Sequence, residues 1–256
     1  MKLSALSCSV VLLACSASVP PDPGTAAPTV ETSCPASDQN AFGVCYPTSD
    51  IGTGARSNFG PNGAPGQRIA NFAFTGYLAT DTSVVTPGSP ATVNLAHFYN
   101  PSLQAIPEQI GGVPVKLIHL TVAAVWCGPC NQETDFISGA NWTGANTSGT
   151  SFAKELAPLG VVFVQALSDG PTFGTGATMG DLTTWIGHHQ SDFTELLDPN
   201  VQNLGVFFDA ASVPFNMNID ARSMEILSTE IGFDTSMGDA IKNQILPWID
   251  AHPAKQ

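Results

Sequence analysis

Two long apolar segments interrupt the mixed polar pattern of this chain, at residues 115–125 and 161–167. The first reads Val-Lys-Leu-Ile-His-Leu-Thr-Val-Ala-Ala-Val and does not alternate between polar and apolar positions. Because a strand with one face in water does alternate, this pattern predicts a central strand that is buried on both faces. The second segment predicts another buried strand, parallel to the first because a helix connects them.

Shorter periodic segments predict the remaining elements. Strands are predicted at 68–77, as an edge strand, and at 92–98, and a hairpin is predicted from 215–220 and 224–228. Helices are predicted from Cys127 to about Ile137 and at 152–159, and a third helix is predicted to begin at a cap at Asp181. A final helix is predicted from a cap at Ser236 through Trp248, with a bend or break at Pro247.

The order of these elements is strand, helix, strand, helix, strand, strand, helix. It predicts an α/β fold in which a central mixed β-sheet carries helices on both faces, and we assign this domain to residues 67–252. Residues 34–66 end in a segment rich in glycine and proline, which predicts an irregular N-terminal extension.

The N-terminal residues 1–14 have the pattern of an export signal. They carry one charge, at Lys2, followed by an apolar run that is too short to cross a bilayer as a helix. The end of this run, Leu12-Leu13-Ala14-Cys15, resembles a bacterial lipobox, in which the signal is cleaved before the Cys and the sulfur of that Cys15 carries lipid. The alternative is an ordinary secretory signal in which Cys15 is incidental.

Residues 15–33 predict a tether between this lipid anchor and the folded domain. They contain four prolines and almost no large apolar side chains, so they cannot bury enough surface to fold. Together with the lipobox they predict an extracytoplasmic bacterial lipoprotein on the periplasmic side of the cell envelope. Ser16 stands where an Asp would resemble an inner-membrane retention signal, which favours the outer membrane.

The chain is acidic, with a net charge of −13 from 8 Lys plus Arg and 21 Asp plus Glu. This balance argues against nucleic-acid binding, and it argues against attraction to an anionic bilayer, so the lipid would have to supply the membrane anchor.

The candidate chemistry is at Trp126-Cys127-Gly128-Pro129-Cys130, directly after the first apolar segment. A strand that turns straight into a helix here places the first thiol at the helix N-terminus, where unpaired N–H groups and the helix dipole favour a thiolate. The second thiol lies one turn further on and can close a disulfide. The spacing also occurs in structural zinc sites and fixed disulfides, but zinc needs further Cys or His ligands, which the sequence does not place nearby.

Cys34 and Cys45 predict a loop-closing structural disulfide, because an exported chain folds in an oxidising compartment. The alternative is a second redox pair that passes electrons to Cys127.

The chain resembles the thioredoxin superfamily, and specifically the exported TlpA/ResA-like thiol-disulfide oxidoreductases, over roughly residues 67–248. The resemblance rests on the five-residue cysteine motif, on Glu133 in a Cys-x-x-Glu pattern, and on Ser212-Val213-Pro214 before a strand that ends in Ile-Asp. It implies a thioredoxin-like fold, catalytic Cys127 and Cys130, and a cis Pro214 that faces them. It also implies a substrate-binding role for Trp126, Val213 and Pro214.

Two features depart from that family's pattern. Thioredoxin has a buried Asp six residues before its first Cys, and Thr121 occupies this position here. Thr121 or Glu133 is therefore the candidate proton relay for the second thiol, although Glu133 is equally compatible with an exposed helix position. Residues 138–151 are polar and are interpreted as an insertion that forms a surface loop or a partner surface.

We expect a protein-disulfide reductase without a cofactor, whose partners are protein thiols and disulfides and a membrane electron donor. The main alternative is a copper-binding or metallochaperone module that uses the same cysteine pair as soft ligands. A peroxidase is disfavoured because the Thr and Pro that precede the reactive Cys of such relatives are absent before Cys127.

Overall fold

The computed structural model describes residues 33–81, 83–105 and 112–255. The predicted export signal, the lipidation site Cys15 and the tether up to residue 32 lie outside the described residues. Within the extension at 34–66, one short 3₁₀ helix forms at Ala36–Asp38, and the rest of this segment is irregular.

Seven strands form a single mixed sheet. They are β1 (Ala73–Tyr77), β2 (Ala91–Asn94), β3 (Leu117–Ala124), β4 (Val161–Asp169), β5 (Thr194–Leu197), β6 (Phe215–Asp220) and β7 (Glu225–Ile231), in the spatial order β2-β1-β5-β4-β3-β6-β7. Strands β3, β4 and β5 are parallel, and the other pairs are antiparallel. All residues of β3 and β4 are buried, so the two long apolar segments form the centre of the sheet, as the pattern predicts.

The α-helices connect and flank these strands. They are α1 (Gly128–Ser138), α2 (Phe152–Leu156), α3 (Met179–His189), α4 (Met237–Ala240) and α5 (Leu246–Ala251), with a π-helical turn at Ile241–Ile245 that joins the last two. Gly139 ends α1 with φ 83°, a left-handed conformation that glycine adopts without strain.

The two faces of the sheet are covered differently. Leu117 of β3 and Phe163 of β4 pack under Ile137 of α1 and the C-terminal helix. On the opposite face, Leu120 packs with residues of two 3₁₀ helices, Leu95–Phe98 and Leu204–Val206. Helical segments therefore lie on both faces, with α1 and the C-terminal helix on one and these two 3₁₀ helices on the other.

Several predicted elements need correction. The strand predicted at an edge is shorter, and as β1 it lies between β2 and β5. The segment 92–98 is a strand only to Asn94, after which the chain turns into a 3₁₀ helix. The sequence pattern also missed β5, whose four residues Thr-Glu-Leu-Leu are too short and too polar to predict a buried strand.

The helix ends also differ from their prediction. Thr178, rather than Asp181, caps α3, and Asp181 completes a capping box from the third helical position. Ser236 makes no side-chain capping bond and instead donates to Asp234 Oδ2 at 2.6 Å. Pro247 does not break the last helix, because the π-helical turn before it accommodates a residue that has no N–H.

Candidate functional site

The cysteine pair lies where β3 ends and α1 begins. Cys127 is the N-cap of α1, and its sulfur accepts the N–H of Cys130 at 3.1 Å. The two cysteines form a disulfide with their Cα atoms 5.2 Å apart. Pro129 stands in the first turn, where a helix needs no N–H from it.

The disulfide is covered rather than exposed. Only 2% of Cys127 and none of Cys130 is accessible to solvent. Trp126 and Val213 pack against the apolar cluster that contains both cysteines, and Met179 packs there as well. In this oxidised state the disulfide therefore has almost no contact with solvent.

A cis proline faces the dithiol. The Val213–Pro214 peptide bond is cis, as the resemblance implies, and the carbonyl oxygen of Val213 lies 3.5 Å from Cys127 Sγ. Strand β6 begins directly after it and pairs with β3, so the sheet register places this loop beside the cysteine motif. The structure thus brings together Trp126, Cys127, Cys130, Val213 and Pro214.

Trp126 is fixed by a residue that the sequence did not single out. Its indole Nε1 donates to Asp169 Oδ2 at 3.2 Å, and the same oxygen accepts the N–H of Gly174 at 2.9 Å. Asp169 is the last residue of β4, and the loop after it presents Phe173, whose ring centroid lies 5.4 Å from that of Trp126. More than half of Phe173 is exposed, so the two rings form an aromatic surface beside the dithiol.

Glu133 lies on the buried side of α1, one turn after Cys130, and is fully buried. Its Oε2 accepts a hydrogen bond from the Thr121 hydroxyl at 2.9 Å, and its Oε1 accepts one from Nδ2 of Asn216 at 2.7 Å. Burial raises the pKa of Glu133 to about 8, because loss of water outweighs these two hydrogen bonds. The structure therefore joins the two residues singled out as candidate relays, and it excludes an exposed position for Glu133.

Asn216 extends this network to a histidine. Its Oδ1 lies 3.2 Å from Nε2 of His119, whose Nδ1 lies 2.9 Å from Oδ1 of Asn218. His119 is buried in the central strand, and burial lowers its pKa. The sequence alone does not predict this role of Asn216, because it depends on the pairing of Asn216 on β6 with Thr121 on β3.

Cys34 and Cys45 form a second disulfide, with Cα atoms 5.8 Å apart. The neighbouring Tyr46 donates its hydroxyl to the carbonyl of Ile69, whose N–H bonds to Met224 in the β6–β7 turn. This turn lies at the end of the sheet opposite Pro214. The contacts of the second disulfide therefore lead to this turn, whereas Cys127 lies beside Pro214 at the other end of β6.

Neither a metal site nor a membrane-spanning helix is found in the described part of the chain. No group of three or more His, Cys, Asp or Glu side chains within 33–81, 83–105 and 112–255 is arranged to hold a metal ion. Among the same residues, no helix has the length and apolar character needed to span a membrane.

The arrangement of these elements decides the fold. A central parallel pair, β3 and β4, is followed by the antiparallel hairpin β6–β7, and a dithiol at the start of α1 faces a cis proline at the start of β6. The chain has a thioredoxin-like fold.

Comparisons with solved structures find chains of low similarity. One is a Chlorobium tepidum protein that is provisionally described as a thiol:disulfide interchange protein DsbE. It is 21% identical with a TM-score of 0.47, and the match covers 73% of this chain and 98% of that one. The exposed lipoprotein thioredoxin Etrx1 of Streptococcus pneumoniae is 21% identical with a TM-score of 0.42, covering 70% and 98%. A secreted disulfide oxidoreductase of Mycobacterium tuberculosis is 19% identical with a TM-score of 0.34, covering 70% and 96%. No family model and no curated protein matches the chain.

Proposed function

We propose that this chain is a membrane-tethered, extracytoplasmic thiol-disulfide oxidoreductase that reduces protein disulfides. The observation that carries the proposal is the dithiol at the N-cap of α1, with Cys127 Sγ 3.5 Å from the carbonyl of Val213 beside the cis Pro214. A partner chain that pairs with this backbone would bring its disulfide to Cys127.

The exchange has two steps. The Cys127 thiolate attacks one sulfur of the partner disulfide, the partner S–S bond breaks, and the departing sulfur leaves as a thiolate that takes a proton. Cys130 then loses its proton and attacks Cys127, which releases the second partner sulfur as a thiolate that also takes a proton. The products are the Cys127–Cys130 disulfide and a partner with two thiols, so two electrons pass to the partner.

We assign Glu133 as the group that accepts the proton of Cys130 when this thiol attacks Cys127. Its pKa of about 8 is close to the ordinary thiol value of about 8.5, so a proton moves between the two groups at little cost in free energy. Thr121 and Asn216 hold the carboxyl in place through the hydrogen bonds described above. The chain thus replaces thioredoxin's buried Asp on β3 with a Glu on the helix and a Thr on the strand.

The environment of Cys127 favours a reductant over an oxidant. Among the described residues, its sulfur receives one N–H, from Cys130, and it lies near a carbonyl oxygen that does not stabilise a thiolate. Strong oxidants of this class stabilise the reduced form through a very low thiol pKa, whereas the Lys and Arg side chains of the described ranges all bond to other groups.

The cellular setting completes the proposal. The export signal, lipidated Cys15 and the tether at 15–33 would hold the domain up to roughly 55 Å from a membrane on the periplasmic side. We propose the outer membrane as the site of the anchor, protein disulfides as substrates, and a membrane electron donor as the source of the electrons.

Reduction of insulin by the recombinant full chain tests this function, with dithiothreitol as electron donor. We expect Cys127→Ser to lower the rate to that of dithiothreitol alone, whereas the matched Cys34→Ser/Cys45→Ser variant keeps the wild-type rate. Unchanged activity in Cys127→Ser contradicts the proposal. Stoichiometric Cu(I) binding by the reduced chain, without reductase activity, would instead support a copper-binding module.

A further inference from the structure

A second buried polar network lies beside the dithiol. It joins Asn131, directly after Cys130, to Asp135 on α1 and to His189 on α3. Nδ1 of His189 lies 2.8 Å from Oδ1 of Asp135, and Nε2 lies 3.2 Å from Oδ1 of Asn131. The side chains of His189 and Asp135 are fully buried.

Asn131 ties this network to the turn that carries the attacking thiol. Its Nδ2 donates to the carbonyl of Cys127 at 2.7 Å and to the carbonyl of Val125 at 3.1 Å. These two bonds identify the nitrogen of the amide, because only the NH₂ group can donate to a carbonyl. The atom that faces His189 is therefore the carbonyl oxygen of Asn131.

Both ring nitrogens of His189 thus face oxygen acceptors. Asp135 is a carboxylate, because its other oxygen accepts the N–H and the hydroxyl of Thr143 at 2.7 and 2.6 Å, and these bonds help to lower its pKa. A neutral imidazole has one N–H and can satisfy only one of the two oxygens. Both hydrogen bonds exist together only when the ring is an imidazolium.

The surroundings of the ring oppose that charge. Burial lowers the pKa of His189, the carboxylate of Asp135 raises it, and His188 on the same helix lowers it further. The rings of Trp185 and Trp142 enclose the imidazole, with centroids 4.3 and 5.4 Å from its own. Trp142 belongs to the polar loop at 138–151, so this loop closes the network from outside.

We propose that His189 is a positioning residue for Cys127, which it holds through Asn131 when its ring carries two protons. Loss of one proton leaves a nitrogen lone pair facing the carbonyl oxygen of Asn131, and this contact becomes repulsive. Asn131 then weakens its hold on the carbonyls of Val125 and Cys127, so the turn that carries the attacking thiol is held less firmly. The inference rests on the proposed function only in taking Cys127 as the attacking thiol.

Two measurements on the full chain test this role without relying on reductase activity. Nitrogen-15 NMR of the His189 ring reports how many of its nitrogens carry a proton at each pH. Alkylation of reduced Cys127 by iodoacetamide, read by peptide mass spectrometry from pH 4.5 to 9, reports the reactivity of its thiolate. His188→Gln is the matched control for His189→Gln, because His188 is exposed and stacks on Trp142 without contacting Asp135 or Asn131.

We expect both His189 nitrogens to be protonated at pH 5 and one of them to lose its proton as the pH rises. Over the same interval, the rate of alkylation should depart by roughly threefold from the profile of a single thiol ionisation. This step should disappear in His189→Gln and remain in His188→Gln. A singly protonated ring at pH 5 overturns the proposal, as does a step that persists in His189→Gln. Because NMR is read on the wild-type chain, failure of a variant to fold leaves the test intact.

Discussion

Replacing Glu133 by glutamine tests the buried carboxyl that we assign to proton transfer. The carboxyl is fully buried, and burial raises its pKa from an ordinary value of 4.5 to about 8. A glutamine side chain at this position would have nearly the same shape, could accept the Asn216 amide and could donate to the Thr121 hydroxyl. The substitution therefore removes the ionisation and keeps the packing.

The size of the effect follows from proton linkage. Below pH 4.5 both the folded and the unfolded chain hold the proton on Glu133, so the group does not change the free energy of unfolding. Between pH 4.5 and 8 the unfolded chain releases this proton and the folded chain keeps it, so stability is lost as the pH rises. At about 1.4 kcal/mol per pH unit, the loss between pH 5 and pH 8 is about 3 to 4 kcal/mol.

Urea unfolding of the oxidised chain at pH 5, 6.5 and 8 measures this difference. We expect the wild type to lose about 3 to 4 kcal/mol more than Glu133→Gln between pH 5 and pH 8. Glu155→Gln, the same substitution at an exposed carboxylate paired with Lys242, should follow the wild type. Equal pH dependence in the wild type and Glu133→Gln would refute the assignment of a raised pKa to this carboxyl.

Two further predictions concern the sheet and the extension. The Cys34→Ala/Cys45→Ala variant should lose about 2 to 3 kcal/mol of stability in urea unfolding, because its unfolded chain is no longer closed into a loop. It should keep full insulin reductase activity. Loss of activity in a folded variant would instead support a redox role for this pair. Gly76→Ala should lower the free energy of unfolding by at least about 2 kcal/mol, because its new Cβ would lie 2.3 Å from the carbonyl oxygen of Glu195 and 2.7 Å from the Cα of Leu196 on β5. Thermal unfolding of this variant at the wild-type temperature would contradict the observed β1–β5 pairing.

Those parts of the fold that depend on local pattern were predictable. The uniform apolar run at 115–125 specifies a central strand because burial on both faces leaves no position for alternation. The placement of Cys127 at a helix start follows from the strand before it and Pro129 after it. The cis state of Pro214 came from the family resemblance alone, since only about 5% of such bonds are cis.

The features that depend on distant pairing were not predictable. Strand β5 is four residues long and buries a glutamate, Glu195, so neither length nor polarity identifies it. Asn216 acquires its role only because β6 places it opposite Thr121. Likewise, His189 and Asp135 lie 54 positions apart in sequence on two different helices, and both resemble surface residues until the fold buries them.

We propose that the Cys127–Cys130 pair is a reducing dithiol, and its equilibrium with glutathione tests this proposal most directly. The measurement follows the redox state of the pair by mass spectrometry over a series of glutathione ratios, with Cys34 and Cys45 mapped in the same digest. We predict a reversible two-electron transition with a potential near the −270 mV of thioredoxin-type reductants. A potential near the −120 mV of strong oxidants, or a pair that does not exchange with glutathione, would contradict the account.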